Sequence, residues 1–206
     1  MSELPVIAWD FDGVLNRNLR DGVFVWAESF ENDLGQSLAI FTKHIFAEDF
    51  DRIITGQEDL RDRVASWAEM VGFAPGPDAL LDYWFRNDAL PDADVLNVQA
   101  ALSAKGIQQV IATNNEARRA RYIEVEMGFA DRVAHVFSSG RMGVRKPDAL
   151  FYETITETLQ VSPGRMILVD DYQASVDAAR AAGWQAHFFS DESREDVLNQ
   201  LRALLS

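Results

Sequence analysis

VIAWDFDGVLN, residues 6–16, decides the fold. An apolar run, Val6 to Trp9, delivers two carboxylates, Asp10 and Asp12, and then breaks at Gly13. A short uninterrupted apolar run reads as a buried strand. In an extended chain alternate side chains share a side, so Asp10 and Asp12 point together into a crevice while Phe11 points back into the core. Gly13 permits a tight turn or close backbone approach. On these residues alone a plain Asp–Gly turn remains open. Two like charges held together raise each other's pKa. A divalent cation removes that penalty, and hard oxygen ligands suit magnesium.

Four more β-prone runs follow, at 109–113, 134–138, 166–170 and 185–189. Helix-length segments separate them, at 116–127, at 149–159 with Pro147 placed to start it, and at 174–182 with Gly183 to end it. A last helix is expected over 195–205 after Ser193 as N-cap. Strand–helix alternation of this kind means a Rossmann-like parallel sheet with helices on both faces. The expected architecture is α/β, a sheet of five parallel strands. Ligands then bind beyond the carboxyl ends of the strands, so the residues after each strand matter most.

The segment 16–88 breaks the alternation and reads helical throughout. Leu60, Val64, Trp67 and Val71 fall on one helix face, and Thr55 with Glu58 has the spacing of a capping box. The stretches 23–34 and 79–85 also read as amphipathic helices. We therefore expect a core domain of residues 1–15 and 89–206, its crossover helix over 94–105, and a helical cap domain of residues 16–88. The aromatic residues Trp26, Phe30, Trp67, Trp84 and Phe85 read as core rather than as a platform for a ligand.

Composition narrows the partners. Of 206 residues, 48% are hydrophobic and none is cysteine, which excludes disulfides and thiolate metal sites and makes a cytoplasmic location the default. No apolar run approaches the ~18 residues of a membrane span, and the N-terminus lacks a basic stretch followed by a long apolar one, so no signal peptide is expected. The net charge of −14 argues against nucleic acid or an anionic membrane as partner. An anionic substrate would need a local reversal of that field, which a bound divalent cation supplies.

The ends of the other strands fill in the site. Strand two ends at Thr113-Asn114-Asn115, where a hydroxyl and successive backbone N–H groups before a helix suit an anion. Lys146, just before Pro147, can reach back as a fixed positive charge. Strand four ends in a second acidic pair, Asp170-Asp171. One strand ending in acids is a turn; two such strands, with a Thr and a Lys on two others, make a site for a metal and an anion.

This constellation resembles the haloacid dehalogenase-like hydrolases. WDFDGVL is similar to the family's first motif, ATNN to its second, GVRKPDALFY to its third and ILVDDYQASVDAARAAGW to its fourth, in family order. The likeness covers about residues 4–15 and 92–190, and the insert resembles the small helical cap of the branch of sugar-phosphate and small phosphomonoester phosphatases. With that resemblance the expected strand order is 5-4-1-2-3. The resemblance implies Asp10 as nucleophile and Asp12 as general acid and base, its carbonyl a magnesium ligand. It implies Thr113, with the Asn114 backbone, as phosphoryl holder and Lys146 as the neutralising cation. Asp171 would be a metal ligand, and Asp170 either a ligand through water or the orienter of Lys146. The implied activity is magnesium-dependent hydrolysis of a small phosphorylated metabolite through an aspartyl-phosphate, by a monomer or homodimer.

Other readings stay open. A carbon–halogen hydrolase needs no acid at position 12 and no magnesium. A phosphomutase usually carries a cap His or basic residue soon after the first motif, where this chain has Arg17 and Arg20 but no His. A signalling receiver places its paired acids after its first strand and its acceptor Asp after the third, and lacks a helical insert. A binding module would retain the fold without the chemistry. Arg17, Arg20, Arg61 and Arg63 are candidates to contact a second polar group of the substrate, with a solvated surface role as the alternative. Arg141 and Arg145 flank Lys146 and could tune its field; His135 and His187 read as structural.

Overall fold

The computed structural model describes residues 4–20, 22–47 and 49–205. Residues 1–3 of the expected core segment, 21 and 48 of the expected insert, and 206 lie outside the described residues. The chain begins with β1 (Val6–Trp9), then a short hairpin of β2 (Leu19–Arg20) and β3 (Val23–Phe24). A helical block follows: α1 (Phe30–Leu34), α2 (Leu38–Ile45), α3 (Asp51–Ile54), α4 (Leu60–Val71) and α5 (Gly76–Asn87). The crossover helix α6 (Ala93–Ala104) leads into β4 (Gln108–Thr113), α7 (Ala117–Val125), β5 (His135–Ser138), α8 (Ser139–Met142) and α9 (Ala149–Leu159). The chain closes with β6 (Met166–Asp170), α10 (Gln173–Ala181), β7 (Gln185–Phe188) and α11 (Arg194–Arg202).

The large sheet runs β5-β4-β1-β6-β7, every pair parallel. Counting only its own strands, this is the expected 5-4-1-2-3 read from the other edge. β1 sits at the centre, with Trp9 level with Ile111 on one neighbour and Val169 on the other. Its successive side chains serve two cores. Ile7 and Trp9 pack with Ile111, Val169 and residues of α6 and α11, while Val6 and Ala8 pack with Val110, Leu168 and residues of α9 and α10. That double burial is why β1 carries no polar residue until it ends. The one indole N–H this places inside, that of Trp9, donates to Gln109 Oε1 at 2.9 Å, and Gln109 donates in turn to the Gln99 carbonyl and to Ser103 Oγ. The side-chain polar atoms of Trp9 and Gln109 are thus satisfied within the core.

The helical block has an apolar core of its own. Trp26, Phe30, Phe41, Trp67 and Trp84 contact one another ring to ring, and Leu60, Val64 and Trp67 are buried along one face of α4.

Four local expectations are corrected. Leu19–Arg20 and Val23–Phe24 pair as a hairpin, with Leu19 opposite Phe24 and Arg20 opposite Val23, so after a single 3-10 turn at Val25–Ala27 the α-helix begins only at Phe30; β-branched and aromatic residues favour the extended form at Val23 and Phe24. α4 is capped by Asp59, which accepts from the Arg61 N–H, while Thr55 bonds back to the Asp51 carbonyl and Glu58 pairs with Arg63. The chain must turn at Gly56 before a helix can start, which displaces the cap from Thr55. Asp148 caps α9, with Pro147 one residue before it. Ser193 precedes α11, yet its hydroxyl donates to the Phe188 carbonyl and caps nothing.

The block meets the sheet rim at close quarters. Gly56 has φ +72°, and a Cβ there would lie 2.2 Å from the Gly140 carbonyl oxygen. Two ion pairs bridge the same seam, Arg118 to Asp59 at 2.7 Å and Arg145 to Asp51 at 2.8 Å. Gly56→Ala should therefore lose more than the ~1–2 kcal/mol of a left-handed non-glycine residue, since the seam must also open. Gly72→Ala, at φ +66° with open space around it, should lose the conformational part alone. Thermal melts of the two variants check this, and equal shifts would show that the seam does not depend on the close approach.

Candidate active site

The carboxyl ends of β1, β4 and β6 converge on one buried ammonium. Lys146, 2% exposed, places Nζ 2.9 Å from Asp10 Oδ1 and 2.6 Å from Asp170 Oδ2. Its backbone is fixed by the Asn114 side chain, which donates to the Lys146 carbonyl and accepts from the Lys146 N–H, both at 2.9 Å. Asp170 Oδ1 accepts from the Tyr172 N–H, and Asp10 Oδ1 from the Phe11 N–H. Asp10 Oδ2 has no hydrogen bond among the described residues.

Oxygens of Asp10, Asp170 and Asp171 lie within 4.8 Å of one another. Three carboxylates against one ammonium leave two negative charges unbalanced. Burial pushes the Asp10 carboxyl well above its ordinary range; Lys146 opposes this, and Asp170 and Asp171 add to it. Asp171 is pushed up to about 6 by burial and then by the charge of Asp170. Burial alone would lower the Lys146 pKa, but Asp10 and Asp170 together raise it above the ordinary lysine value. An all-oxygen donor set with two charges to spare fits a hard divalent cation. Gly13 makes room for the group: at φ +78°, a Cβ there would stand 2.1 Å from Asp171 Oδ2.

Asp12 lives in a different environment. Its Oδ1 accepts from Asn18 Nδ2 at 2.8 Å and Asn16 Nδ2 at 3.2 Å, and its Oδ2 from Asn115 Nδ2 at 2.9 Å. The same Asn115 amide donates to Thr113 Oγ1 at 2.8 Å. Asp12 is therefore held mainly by neutral amides, with the Arg119 guanidinium 4.0 Å from its Oδ1. Behind it lies a buried pair, Arg119 to Asp88 at 2.8 Å, with Asn18 also donating to Asp88 Oδ1. Burial, with the negative charge of Asp12, pushes the Asp88 carboxyl up to about 7 against the opposing pull of Arg119 and Asn18.

Asp10, Asp12, Thr113, Asn114, Lys146, Asp170 and Asp171 are thus all brought to one rim. Asn114 enters through its side chain as a clamp on Lys146. The candidate arginines go elsewhere: Arg17 pairs with Asp191, Arg20 with Glu28, Arg61 with Asp78, and Arg63 is buried between Glu58 and Asp49. Arg141 and Arg145 are taken up by Glu124 and Asp51, so neither faces Lys146. Asn16, Asn18, Asp88 and Arg119 escaped the sequence reading. The only signal was the alternation Asp12, Asn16, Asn18 after the strand, which arginines at 17 and 20 obscured.

The family profile of the haloacid dehalogenase-like hydrolases matches residues 4–183. A Mycobacterium tuberculosis protein named as a phosphatase is 32% identical over 127 residues, which cover 60% of this chain and 58% of that one. A phosphoglycolate phosphatase of Rhodospirillum rubrum is 30% identical over 132 residues, 62% of this chain and 52% of its own. The chain thus spans little more than half the length of these relatives. In fold, it is similar to a haloacid dehalogenase family enzyme from Bacteroides thetaiotaomicron solved with magnesium and inorganic phosphate, at TM-score 0.71 and 17% identity over 91% of this chain and 95% of that one.

Two outcomes are expected. Lys146→Met leaves Asp10 and Asp170 without their counter-charge and should cost about 3–5 kcal/mol in urea unfolding without metal. Asp88, whose pKa is raised on folding, holds a proton in the folded state that the unfolded chain has released. Its contribution is therefore present at low pH and lost as pH rises towards about 7. Between pH 5 and pH 8 the wild type should lose stability relative to Asp88→Asn; an unchanged difference would refute the raised pKa.

Proposed function

The chain belongs to the haloacid dehalogenase-like hydrolases, and on that premise we propose that it is a magnesium-dependent phosphatase of a small phosphomonoester, working through an aspartyl-phosphate. The observation that carries this reading is the contrast between Asp10 and Asp12. Asp10 is gripped at Oδ1 by Lys146 and the Phe11 N–H, which leaves Oδ2 as the attacking oxygen. Asp12, two residues on, is held by three amides, and the nearest cation, the Arg119 guanidinium, stands back at 4.0 Å from its Oδ1. A dehalogenase has no use for a second acid so positioned. The phosphatase names of the relatives point the same way.

In the first step, Asp10 Oδ2 forms a bond to phosphorus as the bond from phosphorus to the leaving oxygen breaks, and Asp12 gives that oxygen its proton. In the second, Asp12 takes a proton from water, the water oxygen bonds to phosphorus, and the Asp10 oxygen leaves as carboxylate. Thr113 Oγ1 accepts from Asn115, so its own O–H is free to donate to a phosphoryl oxygen, alongside the Asn114 backbone N–H. Lys146 offsets the nucleophile's charge against a dianionic ester. Magnesium, when bound by Asp10, Asp171 and the Asp12 carbonyl, supplies further positive charge against the phosphoryl oxygens. Asp171 is favoured for direct ligation, because both oxygens of Asp170 are committed to Lys146 and the Tyr172 N–H. Residues 16–88 act as a cap domain that covers the site and excludes water.

Hydrolysis of p-nitrophenyl phosphate tests this. Activity should appear with magnesium, vanish on chelation and return on adding the metal. Asp10→Asn should lower kcat at least about 10³-fold. Turnover that survives Asp10→Asn, or that needs no divalent metal, would overturn the mechanism.

A further inference from the structure

A cavity of about 230 Å³ lies between the helical block and the rim of the sheet. Asp12, Asn114 and Asn115 form part of its floor, so it opens directly onto the acid that would protonate a leaving group. Its opposite wall is apolar: Phe24, Trp26, Phe46, Phe50, Ile54 and Trp84. Phe24 and Phe46 are each more than a third exposed, although every other ring of that wall is wholly or partly covered. Exposed rings around a cavity that touches catalytic-type side chains are surface awaiting an apolar occupant.

The charges lining the cavity exclude the alternatives. Its cation, Arg119, is engaged by the Asp88 carboxylate at 2.8 Å, by the carbonyls of Phe85 and Asp88 at 3.1 and 3.3 Å, and by Asp12 Oδ1 at 4.0 Å. Glu116 also lines it, its carboxylate capping α7 through the N–H groups of Arg118 and Arg119. A second anionic group on the substrate would meet Asp12, Asp88 and Glu116, with Arg119 the one cation among the described residues that line the cavity. A polyol would find few donors or acceptors on the aromatic wall. Trp26 is one: its indole Nε1 is buried and has no partner among the described residues. It can satisfy a single oxygen, not a ring of hydroxyls.

We propose that this cavity binds the leaving group of the substrate and selects phosphomonoesters of uncharged, apolar alcohols over sugar phosphates and phosphorylated acids. This rests on the phosphatase reading above and adds the substrate class to it. Benzene fills an apolar cavity of about 150 Å³, so the present one holds roughly nine carbon atoms on the same scale. Each methylene buried there should raise kcat/KM about three- to fourfold, through a falling KM at nearly constant kcat, because the alkyl contact is the same in ground and transition states.

The test is a homologous series of n-alkyl monophosphates, from ethyl to decyl, assayed for phosphate release with magnesium beside glucose 6-phosphate and 2-phosphoglycolate. A rise with chain length that levels off near eight or nine carbons, with both polar substrates slower than the octyl ester, supports the proposal. A flat series, or faster turnover of either polar substrate, overturns it while leaving the phosphatase reading intact. A second readout does not need turnover: octylphosphonate should perturb tryptophan fluorescence at far lower concentration than ethylphosphonate, since Trp26 and Trp84 line the cavity. If no ester is hydrolysed, the phosphatase reading fails, and equal binding of the two phosphonates then removes the cavity as a site for apolar groups as well. Ile54→Asp, which puts a carboxylate in the wall, should flatten the chain-length series; if that variant does not fold, the wild-type series and the phosphonate titration still decide.

Discussion

One buried ammonium organises the rim of this sheet. Lys146 stands between Asp10 and Asp170 in a chain whose net charge is −14, with Asp171 close by. Without it, the carboxyl ends of β1 and β6 could not lie side by side as ionised acids, because like charges withdrawn from water repel strongly. The ammonium is itself held in place by the two-point amide clamp from Asn114 at the end of β4. Three strands and the segment before α9 are thereby tied to one charge. The tie is incomplete by two negative charges, which is the condition a divalent cation meets.

The two acids of the first strand are separated by environment more than by distance. Asp10 is bound directly by a cation and a backbone N–H, whereas Asp12 is cradled by three donating amides and has its nearest cation, Arg119, at 4.0 Å. A group fixed by a cation suits attack, and one fixed by neutral donors suits proton exchange; environments that differ in this way let two like residues do different work. The cradle reaches the helical block through Asn18, Asp88 and Arg119. Asp88 follows α5 directly, so the end of that block and the orientation of Asp12 are mechanically linked.

The helical block coheres better than it adheres. Its interior is a dense set of ring contacts around Trp26, Phe41 and Trp84, while exposed ion pairs such as Arg118–Asp59 form part of the seam with the sheet, each worth about 0–1 kcal/mol. A buried pair, Arg119–Asp88, and the contact of Phe85 with Tyr122 also tie the end of the block to α7. Between the block and the sheet lies the cavity lined by Trp26, Trp84 and Asp12.

Sequence alone determined the architecture. The run VIAW, the strand–helix alternation after residue 106 and the acids that end two strands are local patterns, and such patterns set the alternating elements of the sheet domain and the rim where chemistry collects. It also brought forward Asp10, Asp12, Thr113, Lys146, Asp170 and Asp171, because each follows a strand and so shares that rim. What it left undecided depends on contacts between residues far apart in the chain. Asn16, Asn18 and Asp88 gather about Asp12 across about seventy residues, and the pairing of Arg17, Arg61 and Arg63 with distant or facing acids removes them from the site. Whether an arginine is free or spent, and whether a tryptophan lines a core or a cavity, is settled by which partners arrive from elsewhere. Only the folded chain brings those partners together.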